Sequence, residues 1–150
     1  LTDLMCWMLN TKIKHVNVSK LTNQWTESKR KGFFDIGGKL IVTLRTNSKI
    51  ILETKKTKTN GDIIIGNNNF CFNINESRGD IISSDKKIMK ISPPHVSMIM
   101  PKIITQILFF GKCNLPSLKE IVDDHNILIK NLKAHWEVCN QKVSKNLPVT

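Results

Sequence analysis

The chain has 150 residues, with 23 Lys and Arg against 12 Asp and Glu, which gives a formal net charge of +11. Its apolar fraction of 40% excludes intrinsic disorder over most of the length, and no apolar run reaches the roughly 18 residues that span a bilayer. The positive surplus biases the chain toward polyanions such as nucleic acid, acidic lipid or sulfated glycan. Its spread along the sequence favours a solvated basic face, with a dedicated polyanion site as the alternative.

The first thirty residues change pattern twice. Apolar residues at helical spacing predict a short helix from Leu1 to about Asn10. Alternation over residues 12–18 then predicts a strand. Residues 22–31 are polar and end in the basic run Ser28-Lys29-Arg30-Lys31, which is typical of a linker.

After Gly37-Gly38 the apolar period is two for about fifty residues. Asn60-Gly61 is the sharpest turn signal, since both residues tolerate the positive φ that a type I′ hairpin turn requires. These features predict an antiparallel meander. Its six β-branched runs are Lys39–Arg45, Lys49–Lys56, Asp62–Ile65, Phe70–Ile74, Asp80–Ser83 and Lys87–Ile91.

Two helices are expected after Pro93-Pro94. The first begins near Pro101 and ends at Gly111, and its stripe of Ile103, Ile104, Ile107 and Leu108 predicts a short buried helix. The second begins at a capping box formed by Ser117 and Glu120 and continues to about Val143. Its apolar face covers the sheet of its own domain or mediates homo-oligomerisation, and the residues expected to be buried there are Leu118, Ile121, Leu128, Leu132 and Trp136.

The sequence therefore predicts an α+β fold, an antiparallel β-meander of about six strands with a helical N-terminal stretch and two C-terminal helices. We expect residues 1–31 to form a helical and extended segment with a basic linker. Residues 32–92 would form the meander, and residues 93–150 a helical region packed on the sheet. The three segments are expected to make one domain.

Cysteines and glycosylation sequons favour a secreted or surface protein. The four cysteines are too far apart in sequence for a zinc finger or ribbon, and they permit two disulfides with three alternative pairings. Asn17-Val18-Ser19 and Asn75-Glu76-Ser77 are acceptor sequons, which makes Asn17 and Asn75 candidate glycosylation sites. We therefore expect a secreted, virion or cell-surface location, with the cytosol as the alternative.

Signatures of catalysis are missing from the sequence. It has no dinucleotide-binding, phosphate-loop, nucleophile-elbow or HExxH motif. His135 and Cys139 could supply a pair of metal ligands at i, i+4, but a site needs further ligands. We expect a non-enzymatic protein with no cofactor and no metal.

The segment from Ser28 to Leu40 joins a basic run to a Phe-rich, Gly-spaced stretch. Basic residues suit proteolytic cleavage, and large apolar groups between glycines suit insertion into a membrane interface. The segment resembles the cleavage site and fusion peptide of the envelope fusion proteins of insect errantiviruses and baculoviruses. Residues 114–121 and the helix after them look like the juxtamembrane part of such envelopes.

The resemblance implies that Arg30 and Lys31 are cleavage-site residues. It also implies a membrane-inserting set, Phe33, Phe34, Gly37, Gly38 and Leu40. The alternative is a basic loop that leads into a glycine-kinked first strand.

On these grounds we expect a viral or virus-derived envelope-like ectodomain fragment that engages a membrane or a partner protein. The alternative is a basic, non-enzymatic module that binds nucleic acid or another partner through its positive charge.

Overall fold

A computed structural model describes residues 2–54, 62–67, 69–75, 78–92, 96–140 and 146–148. Over these residues the chain forms three helices and seven strands. In chain order they are α1 (Thr2–Met8), β1 (Ile13–Glu27), β2 (Phe34–Leu44), β3 (Lys49–Glu53), β4 (Asp62–Gly66), β5 (Cys71–Asn75), β6 (Asp80–Ser83), β7 (Ile88–Lys90), α2 (Val96–Phe110) and α3 (Leu118–Asn140).

The predicted α+β class is confirmed, and all pairing is antiparallel between neighbours in the chain. The six predicted runs correspond to β2 through β7, and the earlier alternating run is β1. The strands form two sheets, one of β1-β2-β3 and one of β4-β5-β6-β7. The predicted Asn60-Gly61 turn lies outside the described residues.

The chain divides into two compact units, which differ from the predicted segments. Unit 1 comprises Leu1–Lys56 and Pro116–Thr150, and unit 2 comprises Thr57–Leu115. Residues 22–27, predicted as linker, continue β1 to Glu27 because their backbone pairs with β2, as in Trp25 with Ile36 and Glu27 with Phe34. Polar composition alone did not reveal that pairing.

Unit 1 has a closed apolar core between its sheet and α3. Val16 lies opposite Val42 across β1 and β2, and Ile13 lies opposite Leu44. These side chains are buried together with Leu40 and with Cys6 from α1, and the half-buried Leu128 and Leu132 of α3 pack against them. Burial of this kind stabilises by about 1.5–3 kcal/mol for each large aliphatic side chain.

The apolar side chains of unit 2 are less buried than those of the unit 1 core. Ile63, Ile74, Ile81 and Met89 form a row across its four strands. Within the part of unit 2 that the structure describes, no apolar side chain is fully buried, and the buried positions are Asn75, Gly79 and Asp80. Unit 2 thus keeps much of its apolar surface in contact with water.

Helix α2 differs from its prediction in both start and environment. It begins at Val96, five residues before Pro101, and Pro101 lies inside it. Ile104, Ile107 and Leu108, expected to be buried, are exposed, and Ile103 is half-buried. The spacing of these residues predicted a helix correctly, but spacing alone does not show whether other residues cover its apolar side chains.

Helix α3 begins as the capping box predicts. The Ser117 backbone N–H donates to Glu120 Oε2 at 2.6 Å, and the Glu120 N–H donates to Ser117 Oγ at 3.3 Å. The helix is described to Asn140, so the predicted end at Val143 lies outside the described residues.

Burial along α3 agrees with the prediction only in part. Trp136 is buried, and Ile121, Leu128 and Leu132 are half-buried. Leu118 is 77% exposed, which corrects its predicted burial. It stands at the first helical position, beyond the part of the helix that covers the sheet.

Candidate functional site

The basic run forms the tip of the hairpin between β1 and β2. The Ser28 N–H donates to the Phe33 carbonyl at 2.8 Å, and the Phe33 N–H donates to the Arg30 carbonyl at 3.0 Å. Arg30 and Lys31 are exposed, and the Arg30 guanidinium lies 5.4 Å from the centre of the Phe33 ring. The two residues that the resemblance assigned to cleavage are therefore accessible on a tight turn.

Phe34 belongs to an aromatic cluster in unit 1, which we define as Trp25, Phe34 and Trp136. The Trp25 and Trp136 rings meet edge to face with 4.9 Å between centroids, and the Phe34 and Trp136 centroids are also 4.9 Å apart. The Phe34 N–H donates to the Pro148 carbonyl at 2.8 Å. Phe34 thus ties the hairpin to α3 and to the C-terminal segment.

Three more residues of the predicted membrane-inserting set, Gly37, Gly38 and Leu40, lie in β2, and Phe33 is half-buried just before it. Leu40 is buried in the unit 1 core. Gly38 has φ +102°, and a Cβ there would lie 2.5 Å from the Lys20 carbonyl oxygen. Because Gly38 allows β1 and β2 to approach closely and Leu40 fills the core, the folded chain does not present these residues to a membrane.

Asn17 and Asn75, the acceptor residues of the two sequons, lie in strands. The half-buried Asn17 lies in β1, and its Oδ1 accepts the Ser19 N–H at 2.9 Å. Asn75 is buried at the end of β5, and its Oδ1 accepts the Arg78 N–H at 3.0 Å. The predicted glycosylation of Asn75 therefore does not fit the folded state, because a glycan acceptor needs an exposed amide.

All four cysteines lie within the described residues and are free thiols. Cys6 is buried near the first turns of α3, beside Asp124. Cys139 lies fifteen residues further along that helix, about 22 Å away at the helical rise. These two cysteines are therefore too far apart for a disulfide. Burial, with the Asp124 and Asp3 charges, raises the pKa of the Cys6 thiol.

His135 and Cys139 do come together on one face of α3. The sulfur lies 3.6 Å from Nδ1 and 3.7 Å from Nε2, so it sits against the ring and not in line with one nitrogen. Burial lowers the pKa of His135. The described residues contain no group of three or more His, Cys, Asp or Glu side chains suited to hold a metal ion.

An acidic cavity of about 150 Å³ lies between α1 and the start of α3. Asp124 is buried there, accepts the Ile13 N–H and lies 3.6 Å from Lys12 Nζ. Lys12 also donates to the Glu120 carbonyl, and His125 contacts Asp3 at 2.5 Å. The charged groups around the cavity are therefore paired with one another, and their contacts link α1, α3 and the start of β1.

Helix α2 carries an extended set of exposed apolar side chains, whereas the sequence predicted a buried helix. We call this set the α2 apolar surface. It comprises Met98, Ile99, Met100, Ile104, Ile107, Leu108, Phe109 and Phe110, all of which are exposed. Contiguous exposed apolar surface is uncommon on soluble domains and marks binding sites.

No helix among the described residues combines the length and apolarity needed to cross a membrane.

Comparison with known proteins gives no match: no family model, no curated protein and no solved structure is significantly similar to the chain.

Proposed function

We propose that this chain is a non-enzymatic, envelope-like ectodomain fragment that engages a membrane, and that the α2 apolar surface makes the contact. The observation that carries the proposal is the exposure of apolar side chains around the whole of α2. The resemblance implied membrane insertion by residues 33–40, and the proposal assigns membrane contact to α2 instead.

The arrangement of side chains around α2 favours lipid. Successive residues differ by about 100° around a helix axis, so Met98, Ile99 and Met100 point in three directions. Leu108 occupies the remaining sector, and all four side chains are exposed. A protein partner needs one apolar stripe, whereas apolar side chains exposed in every sector of a helix suit a lipid environment.

The length of α2 sets the mode of contact. Its 15 residues rise about 22 Å, which is less than the roughly 30 Å hydrocarbon core of a bilayer. A helix of this length lies in the interfacial plane, with its apolar side chains in the outer part of the acyl region.

The basic hairpin tip has a separate part in the proposal. Lys29, Arg30 and Lys31 are exposed, so a trypsin-like protease can reach them. Cleavage there would release the start of β2, whose Phe34 is held by Trp136. An envelope-like role also implies a virion or cell-surface location, which we include in the proposal.

The nucleic-acid alternative has less support in the geometry. Trp25 and Trp136 pack edge to face inside unit 1 and offer no stacking platform to bases. Several cations already face carboxylates, such as Lys39 and Glu53 at 3.3 Å.

Vesicle flotation of the full chain tests the proposal. Leu108→Ser removes an apolar side chain from α2 that is 76% exposed, and Leu118→Ser removes one from α3 that is 77% exposed. We expect the wild type and Leu118→Ser to float with the vesicles and Leu108→Ser to float less. Equal flotation of the two variants would contradict the assignment to α2.

A further inference from the structure

We propose that the α2 apolar surface selects membranes that carry anionic lipids, and that lysines within α2 and near it in sequence make the selection. This inference rests on the proposed function and adds the chemical class of the lipid. These lysines are Lys86, ten residues before α2 in sequence, Lys102 inside α2, and Lys112, two residues after it, and we call them the lysine flank.

The charged residues in and near α2 in sequence are all positive. Residues 86–115 contain five lysines and no Asp or Glu. Lys87 lies 3.1 Å from Asp85, and Lys90 contacts Asp80. The three residues of the lysine flank are exposed, and no carboxylate among the described residues lies within ion-pair distance of them.

The end of α2 brings a cation next to its most exposed apolar residues. Leu108, Phe109 and Phe110 form the last turn, and Gly111, with φ +66°, ends the helix while its N–H donates to the Ile107 carbonyl at 2.9 Å. Lys112 follows at once. A lysine in this position can keep its ammonium among lipid phosphates while the neighbouring rings enter the interface.

Charge also decides between lipid and a second copy of the chain. Two copies that met through α2 would bring Lys102 and Lys112 of each copy together, and the sequence from residue 86 to 115 has no carboxylate to oppose them. An anionic membrane supplies both the apolar phase and the opposite charge. The favoured occupant is therefore a membrane with anionic headgroups.

The size of the effect follows from the surface potential of such a membrane. Each lysine close to an anionic leaflet raises affinity roughly fivefold, so three lysines give about a hundredfold preference over neutral lipid. Added salt should reduce the preference, because headgroup and lysine charges are screened within about 10 Å at moderate ionic strength.

The experiment compares full-chain binding to vesicles of phosphatidylcholine alone and of phosphatidylcholine with phosphatidylserine at about 7:3. The test variant carries Lys86→Gln, Lys102→Gln and Lys112→Gln. The control carries Lys20→Gln, Lys49→Gln and Lys130→Gln, three exposed lysines of unit 1, and so has the same net charge. We expect the wild type and the control to bind phosphatidylserine-containing vesicles more tightly than phosphatidylcholine vesicles, and the test variant to lose that preference.

Three results would overturn the inference. Equal binding of the wild type to both vesicles would remove lipid selection and leave the proposed function intact. Equal loss of preference in both triple variants would assign the effect to net charge. Binding to neither vesicle, with a dimer in light scattering that Leu108→Ser abolishes, would contradict the proposed function itself and make a second copy the occupant.

Discussion

The Asp124 carboxylate accepts a hydrogen bond from the backbone N–H of Ile13, with 2.8 Å between the nitrogen and Oδ1. The two residues are 111 positions apart in sequence. Asp124 lies in α3, and Ile13 is the first residue of β1. Asp124 is buried, and Lys12 Nζ lies 3.6 Å from its other oxygen. This hydrogen bond thus joins the two sequence segments of unit 1, and unit 2 is inserted between those segments in sequence.

Removing the Asp124 carboxylate should weaken unit 1. Asp124→Ala leaves a buried N–H without its acceptor, which costs about 1–3 kcal/mol. Asp123→Ala, at the exposed neighbouring position, should change the free energy of unfolding by no more than about 0.5 kcal/mol. Urea unfolding of both variants measures the difference, and equal midpoints would contradict the role of Asp124.

Trp136 should be the most sensitive aromatic residue. It is 7% exposed and contacts both Trp25 and Phe34, so Trp136→Ala should cost about 3–5 kcal/mol. Val138→Ala, two residues along the same helix and exposed, is the control. If denaturant midpoints of the two variants shift alike, the aromatic cluster does not hold the hairpin on α3.

Two hairpin glycines should differ in their tolerance of alanine. Both have positive φ, but a Cβ at Gly32 would meet nothing within 4 Å, whereas one at Gly38 would collide with the backbone of Lys20 and Leu21. Gly32→Ala should cost about 1–2 kcal/mol, the penalty of the left-handed conformation alone. Gly38→Ala should cost more, and a smaller loss on thermal unfolding would contradict the close strand approach.

The capping box should make unit 1 sensitive to acid. The Ser117 N–H and hydroxyl donate to Glu120 and lower the pKa of its carboxyl in the folded state. Because the folded pKa is depressed, its stabilisation is present above the ordinary glutamate pKa and is lost as pH falls through the folded value. Glu120→Gln should flatten that part of the stability profile measured by urea unfolding across the acidic range, and an unchanged profile would argue against the box.

Much of the fold could be predicted from the sequence because its signals are local. β-Branched alternation located β2 to β7, and the Ser117 and Glu120 spacing located the start of α3. The extension of β1 to Glu27 could not be read, since its polar residues are held by pairing with β2. The Asp124 contact with Ile13 was hidden for the same reason, because it joins distant parts of the chain.

The candidate site was predicted less well than the fold. Phe34 and Leu40 sit in a Gly-rich apolar segment of the kind that inserts into membranes, and the same composition also suits a close-packed strand. Helix α2 was expected to be buried because apolar residues at helical spacing are usually covered. What covers such a helix depends on the rest of the molecule, which spacing does not encode.

Membrane engagement through α2 can be measured as the depth of that helix in a bilayer. Phe109 is 78% exposed on α2, and Val138 is 79% exposed on α3, so Phe109→Trp and Val138→Trp place matched reporters on the two helices. With the wild-type emission subtracted, we expect brominated lipids in phosphatidylserine-containing vesicles to quench the tryptophan at position 109 and to leave the one at position 138 unquenched. Equal quenching at both positions, or none at position 109, would contradict membrane engagement through α2.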